Sequence, residues 1–369
     1  MTWADFSIYT SINILHGAGE LAKFETQLSA FKKPLIITSQ GFVNRDLIRV
    51  LLGDRDIEIC SGVLPNPSLD FLVQCHLTYK NMGFTEIVAI GGGSVMDVAK
   101  ILSVSLPNCQ NQSIEKILEE DRGSFTKKIP LVLVPTTCGT GAEVTPFATI
   151  WDFRGQKKMS LESQQILPSK VILDPALLKT LPPKYILFSA LDSISHALES
   201  LWNKNKTSES EKLAKESLQL SLEFLPRVMK EPANIEFLDK LLVASTFAGM
   251  AIAITRTAVA HAISYPITMY FGVPHGLACS FTLEKIIQQY LAEVENEPNQ
   301  ELLHRAGKVL HSLRLSEVLK EYFVDEDLMK IPAKEFENKS RINNFSGKKF
   351  NIYECISASL HGECDDYSV

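Results

Sequence analysis

Between Pro34 and Val134 the chain alternates short apolar runs with stretches of helical periodicity. Pro34-Leu-Ile-Ile-Thr38, Ile57-Glu-Ile-Cys-Ser61, Glu86-Ile-Val-Ala-Ile90 and Ile129-Pro-Leu-Val-Leu-Val134 are the apolar runs, and a helical pattern runs from about Ser68 to Met82. Apolar runs of this length separated by helices predict a parallel sheet covered on both faces. Phe147-Ala-Thr-Ile-Trp-Asp152, Lys157-Lys-Met-Ser-Leu161 and Lys170-Val-Ile-Leu-Asp174 read as a further antiparallel or mixed set. After Asp174-Pro175 the strand signals stop. Pro182-Pro183 is a breaker, and from Leu181 to about Leu319 the pattern is helical. From Asp325 the chain is more polar, with a loop-like stretch over Glu335–Lys349 and a short last helix over Cys355–Leu360. No internal repeat or low-complexity tract interrupts this order.

Composition adds bounds to that picture. A chain of 369 residues is too long for one ordinary core, so two domains are expected, an α/β domain over 1–180 and an all-α domain over 181–369. Apolar residues at 45% and charged residues at 22% are those of a globular chain, and a net charge of −6 gives no reason to expect a nucleic-acid partner. Seven cysteines without a C-x-x-C pair read as reduced thiols in a cytoplasmic protein. Met1-Thr-Trp-Ala-Asp-Phe6 has no secretory pattern, and no apolar run reads as a membrane span.

Three stretches carry candidate chemistry. Gly91-Gly-Gly-Ser-Val-Met-Asp97 follows a strand and opens a helix. Gly91, Gly92 and Gly93 let a phosphate approach the backbone, and the helix N-terminus favours an anion. Ser94 reads as a helix cap or a phosphate contact, and Asp97 as a partner for a sugar hydroxyl or a backbone N–H. The plain alternative is a βα turn with a Ser cap, and the order is not the G-x-G-x-x-G fingerprint. Pro135-Thr-Thr-Cys-Gly-Thr-Gly-Ala-Glu143 follows the next strand and offers the hydroxyls of Thr136, Thr137 and Thr140 at the carboxyl edge of the sheet; the alternative is a turn that satisfies its own backbone. In Asp192-Ser-Ile-Ser-His196 a carboxylate and an imidazole share one helix face, one turn apart. With His261 and His275 they would make one oxygen and three nitrogen ligands, a set suited to Fe(II), Zn(II), Mn(II) or Co(II). The bland reading is an i,i+4 polar pair, but ionisable groups in such apolar runs need partners.

Taken in order, Gly-Gly-Gly-Ser-x-x-Asp, Pro-Thr-Thr-x-Gly-Thr-Gly-x-Glu-Val and the Asp-x3-His, His, Pro-His-Gly series resemble the iron-containing (group III) alcohol dehydrogenase family, from about Gly17 to about Leu283. The resemblance implies a dehydroquinate-synthase-like fold, an N-terminal α/β domain holding NAD(H) or NADP(H), and an all-α domain holding a divalent metal, with substrate between them. Iron is the metal it implies first, with Zn2+ or Mn2+ as alternatives, on Asp192, His196, His261 and His275. Gly92, Gly93 and Ser94 would meet the pyrophosphate, Asp97 would lie close by, and Thr136, Thr137 and Thr140 would line the nicotinamide side. A homodimer is also implied, with no nucleic acid and no membrane.

Three departures from the family pattern bear on specificity. Ser39 stands where NAD-preferring members often carry Asp, so a 2′-phosphate is not repelled there. Tyr265 stands where many members carry a His four residues past the third ligand; it is the candidate hydrogen-bond or proton donor, or simply a packed aromatic. Ile254-Thr-Arg-Thr-Ala-Val-Ala-His261 replaces small residues. If that stretch is helical, Thr257 shares the face of His261 and Arg256 lies beside it, a cation suited to a phosphonate, phosphate or carboxylate; the alternative is a structural ion pair. This segment is similar to that of the phosphonate-metabolism branch, the phosphonoacetaldehyde reductases. The expected activity is NAD(P)H-linked reduction of phosphonoacetaldehyde to 2-hydroxyethylphosphonate. The alternatives are another short aldehyde (a carboxylate semialdehyde, sulfoacetaldehyde or a simple aliphatic one), a dehydroquinate-synthase-like lyase, and an inactive metal- or nucleotide-binding homologue.

Overall fold

The computed structural model describes residues 12–43, 57–108, 113–119, 125–348 and 351–362. Two compact units divide the chain, Met1–Leu181 and Pro182–Val369.

The first unit is α/β. Its strands are β1 (Asn13–His16), β2 (Pro34–Thr38), β3 (Glu58–Cys60), β4 (Glu86–Gly91), β5 (Leu131–Pro135), β6 (Phe147–Asp152), β7 (Lys157–Glu162) and β8 (Lys170–Leu173). Six of them form one parallel sheet in the order β1-β8-β5-β4-β2-β3. Every residue of β2 and β5 is buried, as expected of central strands covered on both faces. Helices α1 (Glu20–Ser29), α2 (Leu69–Tyr79) and α3 (Gly93–Asn108) supply cover. Ser68 caps α2 by accepting the Phe71 N–H. Asp174, buried just past β8, accepts the N–H groups of Gly19 and Leu21 and so caps α1 from the strand next to β1.

The strand arrangement differs from expectation. β8 does not join the β6–β7 set: β6 and β7 form an antiparallel pair alone, while β8 lies between β1 and β5 in the parallel sheet. A short run of Lys-Val-Ile-Leu, with its last three residues buried, shows that a strand exists but not which neighbour it pairs with. The strand β1 was not anticipated.

The second unit is helical: α4 (Pro183–Leu201), α5 (Ser208–Lys230), α6 (Ile235–Thr255), α7 (Val259–Phe271), α8 (Leu283–Glu293), α9 (Gln300–Ser312) and a last helix α10 (Ile352–His361). Pro183 occupies the first turn of α4, where its missing N–H costs nothing. α6 corrects the membrane expectation: at 21 residues with mean hydropathy 1.7 it is long and apolar enough to span a bilayer. Its 18-residue apolar window is 67% buried within the protein, packed against α4 and α5, so it is read as a core helix. The stretch over 335–349 is not all loop, since a short helical turn covers Lys339–Ile342.

Among the described residues Cys60, Cys75, Cys138, Cys279 and Cys355 are buried and none is in a disulfide. Cys109, Cys364 and Met1–Phe6 lie outside the described residues.

Candidate functional site: a nucleotide cradle and a histidine cluster

In the α/β unit, β2, β4 and β5 are adjacent, so the segments at their carboxyl ends emerge side by side. Strand order reverses between β2 and β4, the place where open α/β sheets receive ligands. Thr38 Oγ1 donates to Ile90 O at 2.6 Å, and Thr136 N donates to Gly91 O at 3.0 Å, which ties the glycine loop to both neighbours. Ser39, Gly91, Gly92, Gly93, Ser94, Thr136, Thr137 and Thr140 are thereby gathered at one sheet edge. The glycines answer to packing as well as to any phosphate. A Cβ on Gly92 would sit 3.3 Å from Thr137 Cγ2, and one on Gly93 only 2.6 Å from Thr140 Cγ2. Ser94 Oγ accepts the N–H of Asn66.

Asp97 Oδ2 accepts the N–H of Thr149 at 3.0 Å, so its carboxylate holds β6. Burial pushes its pKa up to about 6, against the pull of Lys100, Thr149 N–H and Lys158. Lys100 was not singled out from the sequence. It is fully buried on α3, and its ammonium donates to Thr145 O, Thr145 Oγ1 and Phe147 O at 2.7, 3.2 and 2.8 Å. These bonds anchor the helix behind the glycine loop to the chain that follows the threonine loop.

In the helical unit, Asp192 and His196 face the same way on α4. His261 lies in the first turn of α7, and His275 opens a helical turn over His275–Ala278. Three imidazole Nε2 atoms converge on Asp192 Oδ1: His196 at 3.5 Å, His261 at 3.5 Å and His275 at 3.8 Å. Tetrahedral bonds of about 2.1 Å to one metal separate the donor atoms by about 3.4 Å. Gly276 is demanded by this assembly, because a Cβ there would lie 1.8 Å from Phe188 O and 3.4 Å from Asp192 Cβ. The Pro-His-Gly turn can therefore press onto α4 only with glycine after the histidine.

Glu199, one turn beyond His196 and completely buried, is a further residue that the sequence does not single out. Its Oε2 accepts from His261 Nδ1 at 2.7 Å and from Ala258 N at 2.9 Å; its Oε1 accepts from Ala260 N at 2.6 Å and His261 N at 3.3 Å. One carboxylate thus caps α7, which has no cap of its own, and fixes the His261 ring. With its proton on Nδ1, neutral His261 turns the Nε2 lone pair toward Asp192. That Nε2 is buried and has no hydrogen-bond partner among the described residues. Two acceptors facing each other at 3.5 Å require a cation between them, either a proton or a metal.

The electrostatics follow. Burial alone would raise the Asp192 pKa, but His196, His275 and His261 outweigh it and hold the carboxyl well below the ordinary range. For His261, burial opposes the charge, yet Glu199 and Asp192 push its pKa up to about 10. Cys279 Sγ also reaches Asp192 Oδ1, at 3.3 Å, and the donor atoms of Asp192, His261, His275 and Cys279 all lie within 4.8 Å of one another. Burial and the Asp192 charge push the Cys279 thiol well above its ordinary value, so it serves as a hydrogen-bond donor to the carboxylate. The donor set of one carboxylate and three imidazoles fits a divalent ion of the Fe(II), Zn(II) or Mn(II) kind.

The stretch before His261 differs from expectation. It is not helical between α6 and α7, so Arg256 and Thr257 do not continue a helical face with His261. Arg256 ends α6 with φ 65 and ψ 173, and its side chain is exposed. No glycine or proline signals this break. It is held by distant asparagines, with Asn203 Nδ2 donating to Arg256 O, Asn205 Nδ2 to Thr255 O and Asn344 Nδ2 to Thr257 O. Tyr265 is near the cluster, its ring parallel to that of His275 with centroids 6.0 Å apart.

The family comparison agrees with this geometry. Residues 11–175 match the model of the iron-containing alcohol dehydrogenases, and 186–313 match the C-terminal model of the same family. The chain belongs to the iron-containing alcohol dehydrogenase family. It is 35% identical to a phosphonoacetaldehyde reductase of Streptomyces viridochromogenes over 54% of this chain and 52% of that protein, so the match spans about half of that relative's length. It is 29% identical to a sulfoacetaldehyde reductase of Bilophila wadsworthia, over 75% of this chain and 72% of that one. A solved iron-containing alcohol dehydrogenase superposes with TM-score 0.81 at 28% identity, covering 96% of this chain and 98% of its own.

Proposed function

We propose that the protein is a metal-dependent, NAD(P)H-linked aldehyde reductase and alcohol dehydrogenase, with Asp192, His196, His261 and His275 holding the metal. The convergence of three Nε2 atoms on one Asp192 oxygen carries this reading. A divalent ion bound there supplies a Lewis acid for a carbonyl or alkoxide oxygen. Glu199 keeps His261 in the tautomer that offers Nε2, and Cys279 and the imidazoles keep Asp192 ionised or hydrogen-bonded. In the α/β unit, Gly92, Gly93 and Ser94 cradle the pyrophosphate at the start of α3, and Thr136, Thr137 and Thr140 line the neighbouring edge. Asp97 acts behind that edge by holding Thr149. Ser39 carries no charge to repel a 2′-phosphate, so NADPH is accepted along with NADH.

For substrate we propose a short aldehyde bearing an oxyanion, with phosphonoacetaldehyde the first candidate and 2-hydroxyethylphosphonate its product. The two relatives described above, one acting on a phosphono- and one on a sulfo-aldehyde, support that class. The test is the oxidation of NADH and NADPH by purified protein with phosphonoacetaldehyde, sulfoacetaldehyde, succinic semialdehyde and propanal. Turnover of none of them with the metal-loaded protein contradicts the reading.

A further inference from the structure

Arg341 lies beyond residue 313, where the family match ends, on the helical turn Lys339–Ile342. Across 84 residues its Nε donates to Thr257 Oγ1 at 3.0 Å. Its guanidinium lies over the Tyr265 ring, 4.8 Å from the centroid. That ring is parallel to His275, at 6.0 Å, and edge-on to His261, at 6.4 Å. A cation is therefore one aromatic ring away from two of the proposed metal ligands. The arrangement is built from several directions. Asn344 Nδ2 donates to Thr257 O at 2.9 Å, and Asn338 Oδ1 accepts the Arg341 N–H at the start of the turn.

Arg341 is half-buried, and among the described residues no carboxylate pairs with it. Only Nε is used, so both terminal nitrogens keep their donors, and Thr257 Oγ1, acting as acceptor here, keeps its own hydrogen. A half-buried Arg held by an aromatic face and a hydroxyl, with its planar fork unspent, is the form that recognises an oxyanion bidentately. Arg256, the cation expected from the sequence, is exposed and ends the preceding helix.

We infer that Arg341, seated by Thr257 and Tyr265, is the specificity-determining residue that selects substrates with a phosphonate, sulfonate or carboxylate head group over neutral ones. The inference rests on the reductase reading above and supplies the recognition that reading lacks.

The experiment uses the metal-loaded full chain and the variants Arg341→Gln, Arg341→Lys and Arg256→Ala. Binding of methylphosphonate, methanesulfonate and acetate is measured by calorimetry, without turnover. The ratio of kcat/KM for phosphonoacetaldehyde to that for propanal is measured alongside. Arg341→Gln is expected to weaken binding of the preferred anion roughly 10- to 100-fold and to lower the ratio by a similar factor, the worth of charge-assisted hydrogen bonds. Arg341→Lys recovers only part, because an ammonium has no fork. Unchanged anion binding and an unchanged ratio in Arg341→Gln overturn the inference, as does the same loss in Arg256→Ala. If the wild type turns over neither aldehyde, the reductase reading fails, while anion binding that needs Arg341 still upholds the anion site. Which of the three anions binds most tightly identifies the head group.

Discussion

Replacing Glu199 by Gln tests how the helical unit prepares its donors. Each carboxylate oxygen accepts from two donors: Oε2 from Ala258 N and His261 Nδ1, Oε1 from Ala260 N and His261 N. A glutamine of the same size must turn its NH2 toward one of those pairs. If it faces His261 Nδ1, that nitrogen must give up its proton to become an acceptor. The proton then moves to Nε2, the atom that a metal needs. If it faces Ala260 N and His261 N, two N–H groups at the start of α7 meet a donor instead of an acceptor. Losing one or two buried charge-assisted bonds costs about 2–4 kcal/mol of stability. Loss of the group that orients a ligating imidazole costs roughly 10- to 100-fold in metal affinity. The assay pairs chelator-competition titration of Fe(II) or Zn(II) with thermal unfolding of the metal-free protein. Wild-type metal affinity and an unshifted Tm in Glu199→Gln would refute the reasoning. A lower Tm with unchanged affinity would leave Glu199 a helix cap alone.

Three further outcomes follow from the same structure. Gly276→Ala drives a Cβ against Phe188 O and Asp192; it is expected to cost about 3 kcal/mol and most of the metal affinity, read from unfolding and metal content, and a wild-type Tm would contradict it. Arg256→Gly removes a side chain from φ 65, ψ 173, a region that suits glycine, and should stabilise the protein by about 1 kcal/mol, a rise of a few degrees in Tm. Burial holds the Lys100 pKa down to about 8, partly offset by Asp97 and Glu143. A depressed pKa means that its contribution is fully present above the ordinary value near 10.5 and is lost as pH falls toward 8. Urea unfolding at pH 8, 9 and 10 should therefore show wild-type stability rising relative to Lys100→Met, by on the order of 2–3 kcal/mol across the range, whereas parallel curves would contradict the assignment.

Much of this was legible in the chain because it is local. The buried strands β2, β4 and β5 announce themselves as apolar runs, and Asp192 and His196 declare a shared helix face by their spacing. What was not legible depends on partners far away in sequence. β8 pairs with β1 and β5 rather than with the hairpin just before it, and four residues cannot encode that choice. The break at Arg256 is imposed by Asn203, Asn205, Asn344 and the Glu199 cap, none of which is nearby in the chain. Glu199 did carry a signal: a carboxylate in an otherwise apolar helix, three residues after a candidate ligand, needs a buried partner. Arg341 carried none, because its meaning comes from Thr257 and Tyr265.

Metal-dependent reduction on the Asp192 cluster is tested by reconstitution. NADH and NADPH oxidation by phosphonoacetaldehyde is followed in protein stripped by chelator, then after adding back Fe(II), Zn(II) or Mn(II), for wild type and for Asp192→Asn. Activity is expected to be lost on stripping, restored by at least one of these ions in the wild type, and not restored in Asp192→Asn. Full turnover by the metal-free protein would contradict it.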